Sequence, residues 1–246
     1  MPAWKFKPRL IPTIAVVILL PALMSLGFWQ LDRAEQKMAS YSQYLNKQRM
    51  EPVVLNDLAP DIINMDELDW RHVLVHGSYA DRRHYLLDNQ VLNGRAGYFV
   101  YTPFRLYPGE TYVLVNRGWL PAGTDRGRAP TIRTQSDLIS LNGIIKKAPK
   151  TGILLSDEIY ELLTQDVVRV QKIDLLDIGR RSGWKFLPFI LRLNSTSESG
   201  FVRNWREPGS DRNKHLGYAF QWFGLSALLV IIYIFVNMKR TMGDND

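Results

Sequence analysis

Two stretches of this chain carry no charge, and each is long enough to constrain everything between them. Residues 10–31 make 22 uncharged positions, and residues 216–238 make 23. At about 1.5 Å of rise per residue, either run crosses a hydrocarbon layer of roughly 30 Å as one helix. Lipid imposes that form on a lone segment, because the segment must satisfy its own backbone. The second run is dense in Leu228, Leu229, Val230, Ile231 and Ile232. Tyr218 and Trp222 stand near its entrance, where amphipathic rings favour the interface. Pro12, Thr13, Pro21 and Ser25 interrupt the first run. Lys5, Lys7 and Arg9 ahead of it also suit a signal peptide, with a small-x-small site at Ser25-Leu26-Gly27. The run exceeds a usual signal-peptide core, so a retained anchor is expected.

Two spans fix the layout. Residues 10–31 and 215–238 are the expected transmembrane helices, and 1–9 and 239–246 are short tails. Basic residues flank the spans on the tail side: Lys5, Lys7 and Arg9 before the first, Lys239 and Arg240 after the second. Both tails are therefore expected in the cytoplasm, with residues 32–214 across the membrane. That loop holds 26 basic and 22 acidic residues. Such a balance is too diffuse for a nucleic-acid footprint, although the whole chain carries a net +7. There is no cysteine. This excludes disulfides, Cys-type zinc sites, iron–sulfur centres and thiol nucleophiles.

The loop opens with a polar, helix-favouring stretch, 32–48. Leu31, Ala34, Met38, Tyr41 and Leu45 form one stripe at helical spacing, which predicts an outward continuation of the first span. The period then changes to two. Val73, Val75, Gly77 and Tyr79 alternate with His72, Leu74, His76 and Ser78, as in a strand. Further strands are expected at 85–87, 98–104 (broken by Pro103), 112–115, 138–145, 167–173 and 189–193. Asn93-Gly94, Ala96-Gly97 and Pro108-Gly109 read as turns. Ser156 and Asp174 are candidate caps of two short helices, the first carrying Ile159, Leu162 and Leu163 inward and the second ending at Arg180, Arg181 and Gly183. Residues 194–214 read as a linker. The expected fold is thus membrane-anchored α+β: two transmembrane helices flanking one mainly-β, barrel- or sandwich-like domain with short helices.

No catalytic constellation emerges from these residues. His72 and His76 are four apart, but along a strand that is about 13 Å, too far to share an ion. His84, beside Arg82 and Arg83, is expected on an exposed turn. His215 stands at the entrance of the second span, with Tyr218, Ala219 and Trp222 on its helical face. Such an imidazole either anchors the helix at the interface or ligates a haem iron with the porphyrin against the rings. Gln221, deeper in the span, is expected to hydrogen-bond another helix. Asn116-Arg117-Gly118-Trp119 ends a strand and is either a packed turn or a partner-binding corner.

Six ordered blocks together resemble the Surfeit locus protein 1 family of cytochrome oxidase assembly factors. They are Leu26-Gly27-Phe28-Trp29-Gln30-Leu31-Asp32-Arg33, Trp70-Arg71-His72-Val73 with Gly77-Ser78-Tyr79, and Leu87-Asp88-Asn89 with Gly94-Arg95-Ala96-Gly97-Tyr98. Thr102-Pro103-Phe104 and Val115-Asn116-Arg117-Gly118-Trp119-Leu120-Pro121 follow, and the block from His215 to Phe223 closes the series. The resemblance implies a non-enzymatic bacterial inner-membrane protein with a periplasmic domain. Its implied partners are the oxidase catalytic subunit, haem-delivery proteins and the bilayer. It further implies that haem, expected as haem a, is held transiently by His215 with Tyr218 and Trp222 as neighbours. By its charge alone Arg117 is a candidate propionate or partner contact, and in a scaffold that carries no cofactor Arg117, Trp119 and Trp222 are interface anchors. A cofactor-free scaffold for an assembly intermediate is the alternative. A membrane-tethered hydrolase is a third reading, opposed by the missing nucleophile–base pattern.

Overall fold

The computed structural model describes residues 3–58, 63–80, 83–134, 137–149, 160–197 and 200–241. In chain order the elements are β1 (Ala3–Phe6), α1 (Leu10–Gln48), β2 (Val53–Val54), α2 (Met65–Leu68), β3 (His72–Tyr79), β4 (His84–Leu92), β5 (Arg95–Leu106), β6 (Thr111–Pro121), β7 (Ile139–Lys146), β8 (Tyr160–Leu162), β9 (Val167–Val170), α3 (Leu175–Ser182), β10 (Lys185–Leu193), α4 (Arg212–Asn237) and β11 (Met238–Thr241). The chain divides into two compact units, Met1–Tyr44 with Arg206–Asp246, and Leu45–Trp205.

In the first unit α1 and α4 are long and apolar enough to cross a membrane. Helix α1 is unbroken for 39 residues and runs through Pro21. It continues past the apolar run, as the stripe from Leu31 predicts. Of that stripe Ala34 is buried, while Leu31, Met38 and Tyr41 remain exposed. The tails pair as a small antiparallel ribbon of β1 with β11. Beside it the Arg9 backbone N–H donates to Asn237 Oδ1 at 2.7 Å.

The second unit is a five-stranded mixed barrel. Strand β3 pairs antiparallel with β7, β7 antiparallel with β10, and β10 parallel with β6. Then β6 pairs antiparallel with β5, and β5 returns to β3 through Gly77–Leu106, Ser78–Arg105 and Tyr79–Phe104. That last seam closes the ring. Strands β4, β9 and β8 extend the sheet beyond β5, and β2 adds to β3. The interior is filled by inward residues of all five strands, among them Val73, Val75, Phe104, Val113, Val115, Ile145, Phe189 and Leu191. A second cluster outside the ring joins Tyr85, Leu87, Tyr101, Leu114 and Ile190 to Ile178 of α3. Helix α3 begins where Asp174 accepts from the Asp177 N–H and stops at Gly183, which takes φ 76°. Both signals are the ones its sequence carries.

Several local expectations change. Asn93-Gly94 is the two-residue hairpin turn between β4 and β5, with φ 50° and 75°. Ala96-Gly97, read as a turn, lies inside β5, because a hairpin needs only one such pair. Pro103 does not break that strand. Its carbonyl accepts from the Ala80 N–H, and it lies opposite Leu114 of β6. Asn116-Arg117-Gly118-Trp119 is continuous strand within β6. Residues 200–205 are no free linker: Val202 bridges Trp119, and the Phe201 N–H donates to the Arg117 carbonyl. Leu162 lies on the exposed edge strand β8 and Leu163, half-buried, in the bend after it, neither on a helix. The remainder of the helix expected after Ser156, up to Ile159, falls outside the described residues.

Candidate functional site

The two outermost sequence blocks of the resemblance meet along one seam of the first unit. Gly27, Gln30 and Ala34 are the buried residues of α1, and Ala219 and Ser226 are buried on α4. Small side chains at this spacing let two helices approach closely. A Cβ on Gly27 would stand 2.6 Å from the Phe223 ring. Phe28 holds that ring edge-on, with centroids 5.4 Å apart. A Gly27→Val substitution is therefore expected to force the seam apart at a cost of about 1–3 kcal/mol. Thermal melting of the detergent-solubilised chain would register this as a lowered transition, and an unchanged midpoint would contradict the packing.

Polar contacts bracket the apolar layer. His215 Nδ1 lies 2.8 Å from Gln30 Oε1. At the far end the Thr13 and Tyr233 hydroxyls are 2.9 Å apart. From residue 13 to 30 a helix rises about 26 Å, and from 215 to 233 about 27 Å, close to one hydrocarbon thickness. The helices are thus antiparallel, with each polar pair placed near one edge of the layer. His215 is half-buried at this edge. Trp222, two turns deeper on α4, is also half-buried, whereas Tyr218 is 52% exposed. Ala219 faces the seam. The expectation that Gln221 reaches another helix is not met, since Gln221 is exposed. Six residues after His215, it points about 240° around the helix, and Gln30 makes the interhelical contact instead. Three residues before His215, Arg212 joins Lys37, Met38, Tyr41, Glu207 and Gly209 around a cleft of about 420 Å³.

Arg117 and Trp119 lie in the second unit. They are 4% and 6% exposed. Trp119 donates its indole N–H to the Gln90 carbonyl at 2.9 Å, and its ring lies where a side chain on Gly97 would stand. The Arg117 guanidinium lies 4.8 Å from the centroid of Tyr79 and 5.4 Å from that of Phe201. One nitrogen donates to the Arg133 carbonyl at 2.9 Å, while Nε and Nη1 are buried without a hydrogen-bond partner among the described residues. Burial pushes its pKa down.

His84 corrects the expectation of an exposed turn. It opens β4 between β5 and β9, is 3% exposed, and its Nδ1 lies 3.1 Å from the Thr102 hydroxyl. Desolvation, reinforced by the Arg117 charge and opposed by Asp166, pushes its pKa down to about 4. His76, on β3, meets the Ser140 hydroxyl at 2.7 Å. Among the described residues no cluster of three or more His, Asp or Glu can hold a metal ion.

A family model described as the SURF1 family matches residues 17–227. A SURF1-like protein of Rickettsia bellii (strain RML369-C) is 29% identical over 235 residues, covering 89% of this chain and 88% of its own length. A SURF1-like protein of Monosiga brevicollis is 25% identical over 226 residues, covering 87% and 83%. Surfeit locus protein 1 of Rattus norvegicus is 23% identical over 245 residues, covering 92% and 76%. The matched region takes in both apolar helices, apart from the first turns of α1 and the last turns of α4, together with the whole barrel, and on that extent the chain belongs to the SURF1 family.

Proposed function

We propose that this protein is a non-enzymatic assembly factor for haem–copper cytochrome oxidase, holding haem a through His215 while the catalytic subunit matures. Family membership supports the assembly role. The observation that carries the haem reading is the half-buried His215 ring at the edge of the helix seam, with one nitrogen held by Gln30. These residues fit the group. An imidazole engaged through Nδ1 would leave Nε2 free to hold the haem iron, and Trp222 and Tyr218 would add flat apolar surface on the same side of α4. Lys37 and Arg212 put cations around the neighbouring cleft, suited to carboxylates. The haem supplies the redox-active iron that the client needs. The chain's own part is to bind it reversibly and to hold it at the membrane edge through side chains on two packed helices.

In the proposed topology both tails lie in the cytoplasm of a bacterium and the barrel in the periplasm. Lys5, Lys7 and Arg9 on one tail and Lys239 on the other support it. His215 and Gln30 then stand at the periplasmic edge. The detergent-solubilised protein supplied with haem a is expected to show a His-ligated Soret band that His215→Ala abolishes. A band unchanged in that variant would eliminate ligation by His215. Undiminished co-purification of an oxidase subunit with the same variant would favour the cofactor-free scaffold.

A further inference from the structure

Gln30 and His215 are 185 positions apart, yet their side chains meet at 2.8 Å inside the helix seam. Gln30 is 8% exposed, so water does not compete for its amide. Its Oε1 can only accept, which makes His215 Nδ1 the donor. A neutral imidazole carries one N–H. If that proton sits on Nδ1, Nε2 has the bare lone pair. We infer that Gln30 is a positioning residue that fixes the Nδ1–H tautomer of His215 and so presents Nε2 as a ligand before any haem arrives. This rests on the reading of His215 as the haem ligand.

The packing around Gln30 explains why the contact is stable. Gly27 and Ala34, one turn to either side, are buried, and Gly27 lies against the Phe223 ring of α4. The amide therefore has a fixed depth and a fixed partner. Its chemistry suits a temporary ligand. A carboxylate at the same place would draw the Nδ1 proton toward itself and make the imidazole a stronger donor to iron. An amide orients the ring without that push, so a haem held by Nε2 would stay releasable.

The test separates the tautomer from the haem. Full-length protein with 15N-labelled histidine is studied in detergent without haem, and the His215 ring signals are assigned by their loss in His215→Ala. Wild type is expected to show protonated Nδ1 and bare Nε2. Gln30→Leu, close in volume but unable to accept, is expected to revert to the Nε2–H form that prevails for free imidazole. Retention of the Nδ1–H form in Gln30→Leu would overturn the inference. If Gln30→Leu does not fold, Gln30→Glu decides, because the carboxylate still accepts. It is expected to keep Nδ1–H, and appearance of Nε2–H there would be equally fatal. With haem a added, Gln30→Leu is expected to bind about 10–100-fold more weakly. Gln30→Glu is expected to shift the haem potential to more negative values. Equal affinity in Gln30→Leu, or an unmoved potential in Gln30→Glu, would remove the positioning role. Absence of any haem band in the wild type would refute His215 ligation while leaving the tautomer result to stand by itself.

Discussion

Replacing Gly77 with alanine is expected to cost the barrel about 3 kcal/mol, the upper end of what overpacking usually costs. A Cβ at this position would lie 1.9 Å from the Arg105 carbonyl oxygen and 2.8 Å from the Phe104 ring. The first obstacle is backbone, so no rotamer change relieves it. Gly77 also pairs with Leu106 at the seam where β3 meets β5, and that seam alone turns the sheet into a closed ring. The strands must part or shift by well over an ångström. For a unit of this size the loss corresponds to roughly 6–12 °C in the melting transition. Tryptophan fluorescence of the full chain in detergent would follow it. Gly123→Ala is the control, since its nearest neighbour is a carbonyl 3.7 Å away. A Gly77→Ala midpoint equal to the control's would mean that β3 and β5 do not close as described.

Acid is expected to destabilise the barrel through His84. Its pKa is about 4 in the folded chain against 6.5 for an unperturbed histidine, because burial disfavours the imidazolium and Arg117 repels it. Between these values the unfolded chain binds a proton that the folded chain refuses. Stability is therefore full above pH 6.5, falls as the pH drops toward 4, and levels off below, once both states are charged. The span of the shift amounts to about 3 kcal/mol. Asp66, Asp174, Asp177 and Asp211, whose carboxyls are held below the usual 3.8 by Lys147, the Asp177 N–H, Arg181 and Lys214 in turn, add a loss that begins near pH 4 and deepens below it, in wild type and variant alike. His84→Gln keeps a polar partner for Thr102 and removes the titration. Denaturant midpoints measured at pH 7, 5 and 4 should fall for the wild type and stay nearly level for the variant. Parallel declines would assign the acid sensitivity elsewhere.

The elements that could be read in advance are those with one covered face. Val73, Val75, Gly77 and Tyr79 alternate because β3 turns one side to the barrel interior. The ends of α3 could be read because Asp174 and Gly183 act locally. Strands β5 and β6 gave weaker signals, since both of their faces are covered and almost every residue from Tyr112 to Trp119 is buried. Alternation cannot survive there, and a charged residue such as Arg117 looks like a strand end. The local sequence around His84 misleads for a related reason. Its neighbours in sequence are polar, but its neighbours in space come from β5 and β9. At the seam, His215 stood out by its position at a span entrance. Gln30 did not, because no local pattern links it to a residue at the other end of the chain. Its burial beside Gly27 is visible only once two helices are side by side.

The placement of β10 governs how the protein must be made. That strand comes late, at Lys185–Leu193, yet it sits between β6 and β7 and bonds to both. As the chain emerges from the ribosome, β6 and β7 are complete long before the strand that joins them. Until it arrives, two open edges with unmet N–H and C=O groups offer themselves to any other extended chain. Helix α4 begins at Arg212, shortly after β10 ends. Closure of the ring and completion of the second long apolar helix therefore fall close together, late in synthesis, and the interval before them is when a holdase or a protease would find this polypeptide most accessible.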